Sequence, residues 1–282
     1  MFLAGTGRMG TTIVMSLSPP HAISYFRRTP WFDVFLFAVA LGGGLWLVLG
    51  GGASGYDWQW YRLWRHVVVH TPHGWEAGPL LHGLGITLQV AGAGMGIALV
   101  LGLGVTLLRL SGSVVGHWLC ALYVELVRNT PLLIQLFVAY FVFAPVLGMG
   151  RFATAVLALG IFEGAYMAEI LRGGVAGIPN GQWEAARSLG LGTWGTCVEV
   201  VLPQAVRRVL PPLAGQGVSL VKDSSLASVI AIEELTMRTQ VVAAETFLTF
   251  EAWFLAAAIY LVLTLAVSGC ARLLERRFGY AF

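Results

Sequence analysis

The sequence predicts an all-α membrane protein with about six transmembrane helices, and three observations predict it. The 282 residues are 57% hydrophobic and only 11% charged, where a soluble domain carries about a quarter. Uncharged apolar runs long enough to cross a hydrocarbon core of about 30 Å recur along the chain. The 17 basic residues, of which Lys222 alone is lysine, mostly flank those runs. The net charge of +3 therefore reads as arginines at span ends, and no nucleic-acid partner is expected. Cys120, Cys197 and Cys270 have neither paired nor metal-like spacing and read as small packing residues.

Residues 1–30 read as a cytoplasmic tail, rich in Gly, Ser, Thr and Pro, with Arg8, Arg27 and Arg28 but no acid. Residues 31–82 add an N-terminal transmembrane helix and an external segment. The run 34–50 is uncharged and of spanning length. The small residues from Gly50 to Gly55 are compatible with a leader-peptidase site, but a retained helix is expected. Within 56–82, His66 and His70 have the spacing of a metal pair on a helix, with His73 and His82 nearby. Trp58, Trp60, Trp64 and Trp75 favour instead a hydrated segment at the membrane surface.

The second span, about 84–108, is uncharged and glycine-rich; Gly92 and Gly96 predict a face that a neighbouring helix approaches closely. Arg109 marks its end. In the third span, about 118–147, Glu125, Arg128, Asn129 and Pro131 fall early, and Pro131 predicts a kink. The fourth, about 152–171, has Gly160, Gly164 and Ala168 on a packing stripe and Glu163, Tyr166 and Glu169 on a polar one. Carboxylates inside a membrane are functional candidates by default. Glu169 has a second reading, as the partner of Arg172 one turn on.

The fifth span, 203–232, is not a continuous apolar helix. Pro211 and Pro212 are expected to break its ladder, and Lys222-Asp223-Ser224-Ser225 interrupts the apolar run again. Irregular backbone at membrane depth survives where it lines water or is buried in protein, so this segment is a candidate wall of a translocation path. The other reading is a Lys222/Asp223 pair that neutralises itself inside the bundle. Residues 233–251 are expected to form a polar external loop, and 252–271 the sixth span, closed by Arg272, Arg276 and Arg277.

Between the fourth and fifth spans lies a polar stretch, 177–203. Pro179 and Asn180 read as a turn with Asn180 as a helix cap, Gln182 to Leu189 as a short amphipathic helix, and Gly190 as its left-handed stop. With the N-terminal tail inside, the inner segments hold Arg8, Arg27, Arg28, Arg109, Arg172, Arg187, Arg207, Arg208, Arg272, Arg276 and Arg277. The outer loops hold only Arg62, Arg65, Arg151 and Arg238. The positive-inside rule thus predicts that both termini and the 177–203 stretch are cytoplasmic.

Glu184-Ala185-Ala186, then Gly190, then Val200-Val201-Leu202-Pro203 resembles the EAA loop of bacterial ABC importer permeases. Further blocks, in order, resemble the polar amino acid uptake permeases of the histidine, glutamine, glutamate and arginine type: Gly85-Ile86-Thr87-Leu88, Glu125 to Gln135, Ala165 to Gly174, Leu202-Pro203-Gln204-Ala205 and Ser219 to Leu226. The resemblance covers about Gly83 to Phe278. It implies a five-helix importer-permease core at 83–278, preceded by an extra helix that the family commonly lacks. It further implies a multi-pass protein of the bacterial inner membrane working by alternating access. The partners implied are a second permease subunit, identical or related, a cytoplasmic ABC ATPase dimer and a periplasmic amino-acid-binding protein, with the lipid bilayer around them.

Under that resemblance Glu184, Ala185, Ala186, Arg187 and Gly190 dock on the ATPase. Arg128, Glu163, Tyr166, Glu169, Lys222, Asp223, Ser224 and Ser225 are the substrate-path candidates. The chain has no Gly-Lys-Ser/Thr phosphate loop, so no cofactor is expected on it and ATP-Mg belongs to the partner; the chain is a transport subunit and not an enzyme. An ion-coupled secondary carrier using Glu163, Glu169 and Lys222/Asp223 is the alternative. A pocket of these groups suits a cationic or neutral polar amino acid, and Arg128 with Lys222 suits an acidic one.

Overall fold

A computed structural model describes residues 34–35, 38–39, 41–43, 56–72 and 74–277, and the last four of these by their backbone only. The expected tail at 1–30, most of the 34–50 helix, the Gly50–Gly55 segment and His73 lie outside the described residues. Two compact units divide at residue 58: Met1–Trp58 and Gln59–Phe282. In the first, Tyr56 and Trp58 meet edge to face with centroids 5.1 Å apart. The second holds everything below.

It opens with α1 (Trp60–Val67) and a hairpin of β1 (Val68–Thr71) and β2 (Gly74–Ala77), antiparallel with Val68 opposite Ala77 and Thr71 opposite Gly74. The hairpin is a small exception to the expected all-helical fold. It also separates the two histidines: α1 ends at Val67, so His66 and His70 do not share a helical turn, and His70 packs edge-on against Trp75 at 4.9 Å instead.

Two long helices form the centre. Helix α2 (Pro79–Leu110) starts with Pro at its first turn, where the missing N–H costs nothing, and α5 (Arg151–Ala176) lies against it. The seam is built on glycine. A Cβ at Gly160 would stand 2.6 Å from Ile97 Cγ2, one at Gly102 would stand 2.8 Å from Met167 Cβ, and one at Gly164 would stand 3.0 Å from Leu101 Cβ. The stripe at Gly160, Gly164 and Ala168 packs as expected. Gly92 and Gly96 do not: a Cβ on either meets nothing within 4 Å, whereas Gly94 faces Leu159 and Leu220. With glycines all round α2, its sequence did not reveal which face would be covered.

Between α2 and α5 run α3 (Val114–Arg128) and α4 (Leu132–Leu147), bent by 105° at their junction. Ser113 caps α3 by accepting from Gly116 N at 3.1 Å. Pro131 begins α4 in extended conformation, so the expected kink is a full break. A π-helical turn at Ala139–Phe143 interrupts α4.

After α5 comes α6 (Asn180–Ser188). A short turn and the π-helical Thr196–Val201 lead into α7 (Leu202–Asp223), and a 3₁₀ stretch, Ser224–Ile230, follows. Helix α7 continues through Pro211 and Pro212, contrary to the expected break there; each proline deletes one donor but keeps a helical φ. The irregularity falls later, at Ser224. Residues 233–251, expected as a loop, contain α8 (Leu235–Thr246). Its cap is Glu234, whose buried carboxylate accepts from Thr236 N and Met237 N, each at 2.9 Å, and from Tyr260 Oη at 2.7 Å. Burial pushes the Glu234 carboxyl above its ordinary range, against the pull of those donors. Helix α9 (Thr249–Arg277) is the last described element.

By length and composition three described helices can each cross a membrane, Pro79–Leu110, Arg151–Ala176 and Thr249–Leu273, and the bent α3/α4 pair is a fourth candidate. Charges and prolines keep α7 out of that set. The buried core runs from Val90, Leu136 and Leu159 to Ala227 and Ile230, which ties the 3₁₀ stretch to the centre.

Candidate functional site

Helix α5 carries Glu163 into the middle of the bundle, where it is fully buried. Gln216 of α7 donates through Nε2 to Glu163 Oε2. Seven residues on, two helical turns along the same face, Asp223 lies beside Glu163, close enough for the two carboxyl groups to interact. The other oxygen of Glu163 receives no donor from the described residues. Burying a carboxylate with one donor is costly, which makes Glu163 the strongest candidate among the path residues. Lys222 next to Asp223 is exposed and Asp223 is half-buried. The cluster therefore opens onto the side of the chain.

Ser224 and Ser225 follow. The Ser224 hydroxyl donates to Val221 O at 2.7 Å, and the Ser225 carbonyl accepts from Ser228 Oγ at 2.7 Å. Both bonds support the change from α to 3₁₀ winding, and the Ser224 hydroxyl proton is committed to it.

The remaining path candidates stand elsewhere. Glu169 is a hub for three arginines from three helices: Arg109 of α2 at 2.5 Å, Arg172 of α5 at 2.8 Å and Arg128 of α3 at 3.9 Å. Arg128 also lies over the Tyr166 ring, 5.2 Å from its centroid. Of the two readings of Glu169, the pairing with Arg172 is present, and it is part of a larger inter-helix cluster. Glu163 and Glu169 thus belong to separate groups, the first facing α7 and the second tying α2, α3 and α5 together. Sequence reasoning missed Gln216 and gave Arg109 no role beyond a span end. A lone glutamine on α7 seven residues before Asp223 was the available signal for the first.

Helix α6 projects between α5 and α7. Of its residues only Ala186 is buried; Glu184, Ala185 and Arg187 are not. Pro179, not Asn180, occupies the cap position, and no side chain caps the helix; Asn180 is already its first residue. Its other end is as expected. Gly190 has φ +82°, Gly190 N donates to Arg187 O at 2.9 Å and Leu191 N to Ala186 O at 3.2 Å. That pair of bonds is a Schellman closure. Arg208 of α7 donates to Gly177 O, and Gln204 Nε2 to Gln182 Oε1 at 3.2 Å, so α6 is strapped to α7 at its base while its outer side stays open.

The family model described as "Binding-protein-dependent transport system inner membrane component" matches residues 82–280. The glutamine transport system permease protein GlnP of Escherichia coli (strain K12) is 39% identical over 207 residues, 72% of this chain and 94% of that protein. The probable amino-acid ABC transporter permease protein YckA of Bacillus subtilis is 34% identical over 203 residues, 71% of this chain and 89% of its own length. Among solved structures, an amino acid ABC transporter crystallised with histidines aligns with TM-score 0.67 at 35% identity, over 71% of this chain and 94% of that one. An inward-facing MetNI methionine ABC transporter shares the fold, with TM-score 0.59 at 19% identity over 71% of this chain and 96% of that one.

Proposed function

Because this chain belongs to the family of binding-protein-dependent transport system inner membrane components, we propose that it is the permease subunit of an ATP-driven importer of polar amino acids. The single observation that carries the reading is α6: a short, exposed helix, closed by a left-handed glycine and strapped at its base to α7, the helix that bears Gln216 and Asp223. A push on α6 reaches the carboxylate cluster through one continuous element.

In this reading two permease subunits, identical or related, pack side by side and the exposed flank at Lys222 and Asp223 faces the path between them. Glu163, Gln216 and Asp223 meet the substrate's ammonium group and Lys222 its carboxylate. Nucleotide binding on a cytoplasmic ATPase dimer draws the two α6 helices together and opens the path toward a binding protein on the other side. ATP-Mg resides on that partner, and this chain contributes no catalytic group. Both termini lie on the ATPase side. Moving such an equilibrium from strongly inward to strongly outward takes about 5 kcal/mol of differential binding, within reach of nucleotide and docked binding protein together.

The test is uptake in proteoliposomes containing the chain, its ATPase and its binding protein, with glutamine, histidine, arginine and glutamate compared. Uptake that requires ATP hydrolysis supports the reading. Uptake driven by an ion gradient without the ATPase refutes it.

A further inference from the structure

Residues 59–78 precede the region matched to the family, which begins at residue 82, yet they belong to the same compact unit as the bundle. Their attachment is specific. Gln59 N donates to the buried Glu251 Oε1 of α9 at 2.8 Å, and within the segment Gly78 N donates to Val67 O at 2.7 Å. Gly78 is required there, since a Cβ would stand 2.5 Å from His66 O. Leu63 is buried among Leu80, Leu235, Leu248 and Ala252.

The apolar stripe of α1 is wider than the part the bundle covers. Trp60, Leu63, Trp64 and Val67 follow the i, i+3, i+4, i+7 spacing of one helix face and line a groove of about 130 Å³ whose far wall is Leu255 of α9. Only Leu63 is enclosed; Trp64 is 67% exposed, Tyr61 next to it 73%, and Trp75 on the hairpin 75%. Helix α9 is long and apolar enough to cross a membrane, and only 6% of its most apolar stretch is buried within the chain. Leu255 stands six residues past Thr249, about 9 Å along the axis from the start of α9. The exposed tryptophan edge of α1 therefore adjoins the first turns of an apolar, uncovered helix. Arg62, Arg65 and His66 occupy the other side of α1, which contains no acidic residue.

We propose that residues 60–77 form an interfacial anchor whose partner is the bilayer surface itself, with Trp60, Trp64 and Trp75 at the boundary between headgroups and acyl chains and Arg62 and Arg65 on the phosphates of anionic phospholipids. Aromatic residues with a basic polar face are the composition that holds an amphipathic helix in that zone. The anchor fixes the ends of α2 and α9 where both emerge from the membrane.

The experiment uses the full chain in vesicles of phosphatidylcholine with or without phosphatidylglycerol, and does not depend on transport. Tryptophan fluorescence of the wild type minus that of Trp64→Phe isolates the Trp64 signal. It should be quenched by phospholipids brominated near the headgroup and much less by those brominated at the acyl terminus. Arg65→Gln should reduce the attached population about fivefold, and only in vesicles containing phosphatidylglycerol. A spin label on Arg65→Cys should lie at phosphate depth, which tests the anchor independently if Trp64→Phe does not insert. A Trp64 signal untouched by either brominated lipid, with the Arg65→Cys label fully in water, overturns the proposal; so does a signal shielded only when the binding protein or a second copy is added.

Discussion

Replacing Gly190 by Val isolates the contribution of α6 better than any other single change. At φ +82° Gly190 occupies the left-handed region, yet a Cβ there would meet nothing within 4 Å. The substitution therefore produces no clash within the chain, and its whole cost is conformational: about 1–2 kcal/mol for an L-residue forced into that region, more for a β-branched one. The strain falls on a nine-residue helix with one buried side chain, Ala186, which has little packing with which to resist it. A loss of 1–2 kcal/mol changes an equilibrium by about 5–30-fold, so the properly closed α6 should be depleted by that factor while the bundle is untouched. Gly192 is the internal control. It too has open space around a would-be Cβ, but its φ of −68° suits any residue. Co-purification of the ATPase with tagged permease, together with uptake, should fall for Gly190→Val, fall less for Gly190→Asn, whose side chain tolerates the left-handed region, and hold for Gly192→Val. Equal ATPase capture and uptake by Gly190→Val and Gly192→Val would refute the argument that this closure shapes the docking helix.

Glu163→Gln, which keeps the shape and one acceptor, should lower uptake at least about tenfold while leaving ATPase capture intact, the pattern of a group that meets substrate; unchanged uptake would remove Glu163 from the path. Gly160→Ala should cost about 1–3 kcal/mol by overpacking against Ile97, read as a lower melting temperature in detergent, and Ile97→Ala in the same chain should recover part of it. Gly92→Ala, with no neighbour to meet, should leave the isolated chain's melting temperature unchanged or higher. At the arginine hub, Arg109→Gln should destabilise more than Arg172→Gln, because the Arg109 side chain is 13% exposed and that of Arg172 is 44%, where solvent screens the pair; the reverse order in thermal unfolding would contradict the hub.

The spans of α2, α5 and α9 were legible where hydrophobicity and charge agree over many residues, and α6 was legible because a glycine stop and a polar stretch stand out in an apolar chain. What escaped depends on partners distant in sequence. Glutamate is not a favoured helix cap, so Glu234 gave no sign that it would start α8 in place of a loop. Its burial depends on Tyr260, 26 residues away. Pro211 and Pro212 carry the mark of a break, but packing of α7 against α5 and α9 overrides local preference. The separation of Glu163 from Glu169 was partly legible, since six residues on a helix turn them about 120° apart; what could not be read was the partner each one meets. Only the positions of Arg109 and Gln216 decide which group each joins.

The glycine seam between α2 and α5 also limits how the molecule can deform. Ile97 sits in the notch left by Gly160, and Met167 in the one left by Gly102, so neither helix can slide past the other without unseating both teeth. The two must travel as one stiff rod, and any swivelling has to be taken up at the elbow beside Pro131 and at the overwound segment after Asp223. A chemical staple joining α2 to α5 would accordingly be tolerated through every cycle, whereas one placed across that elbow would freeze the machine.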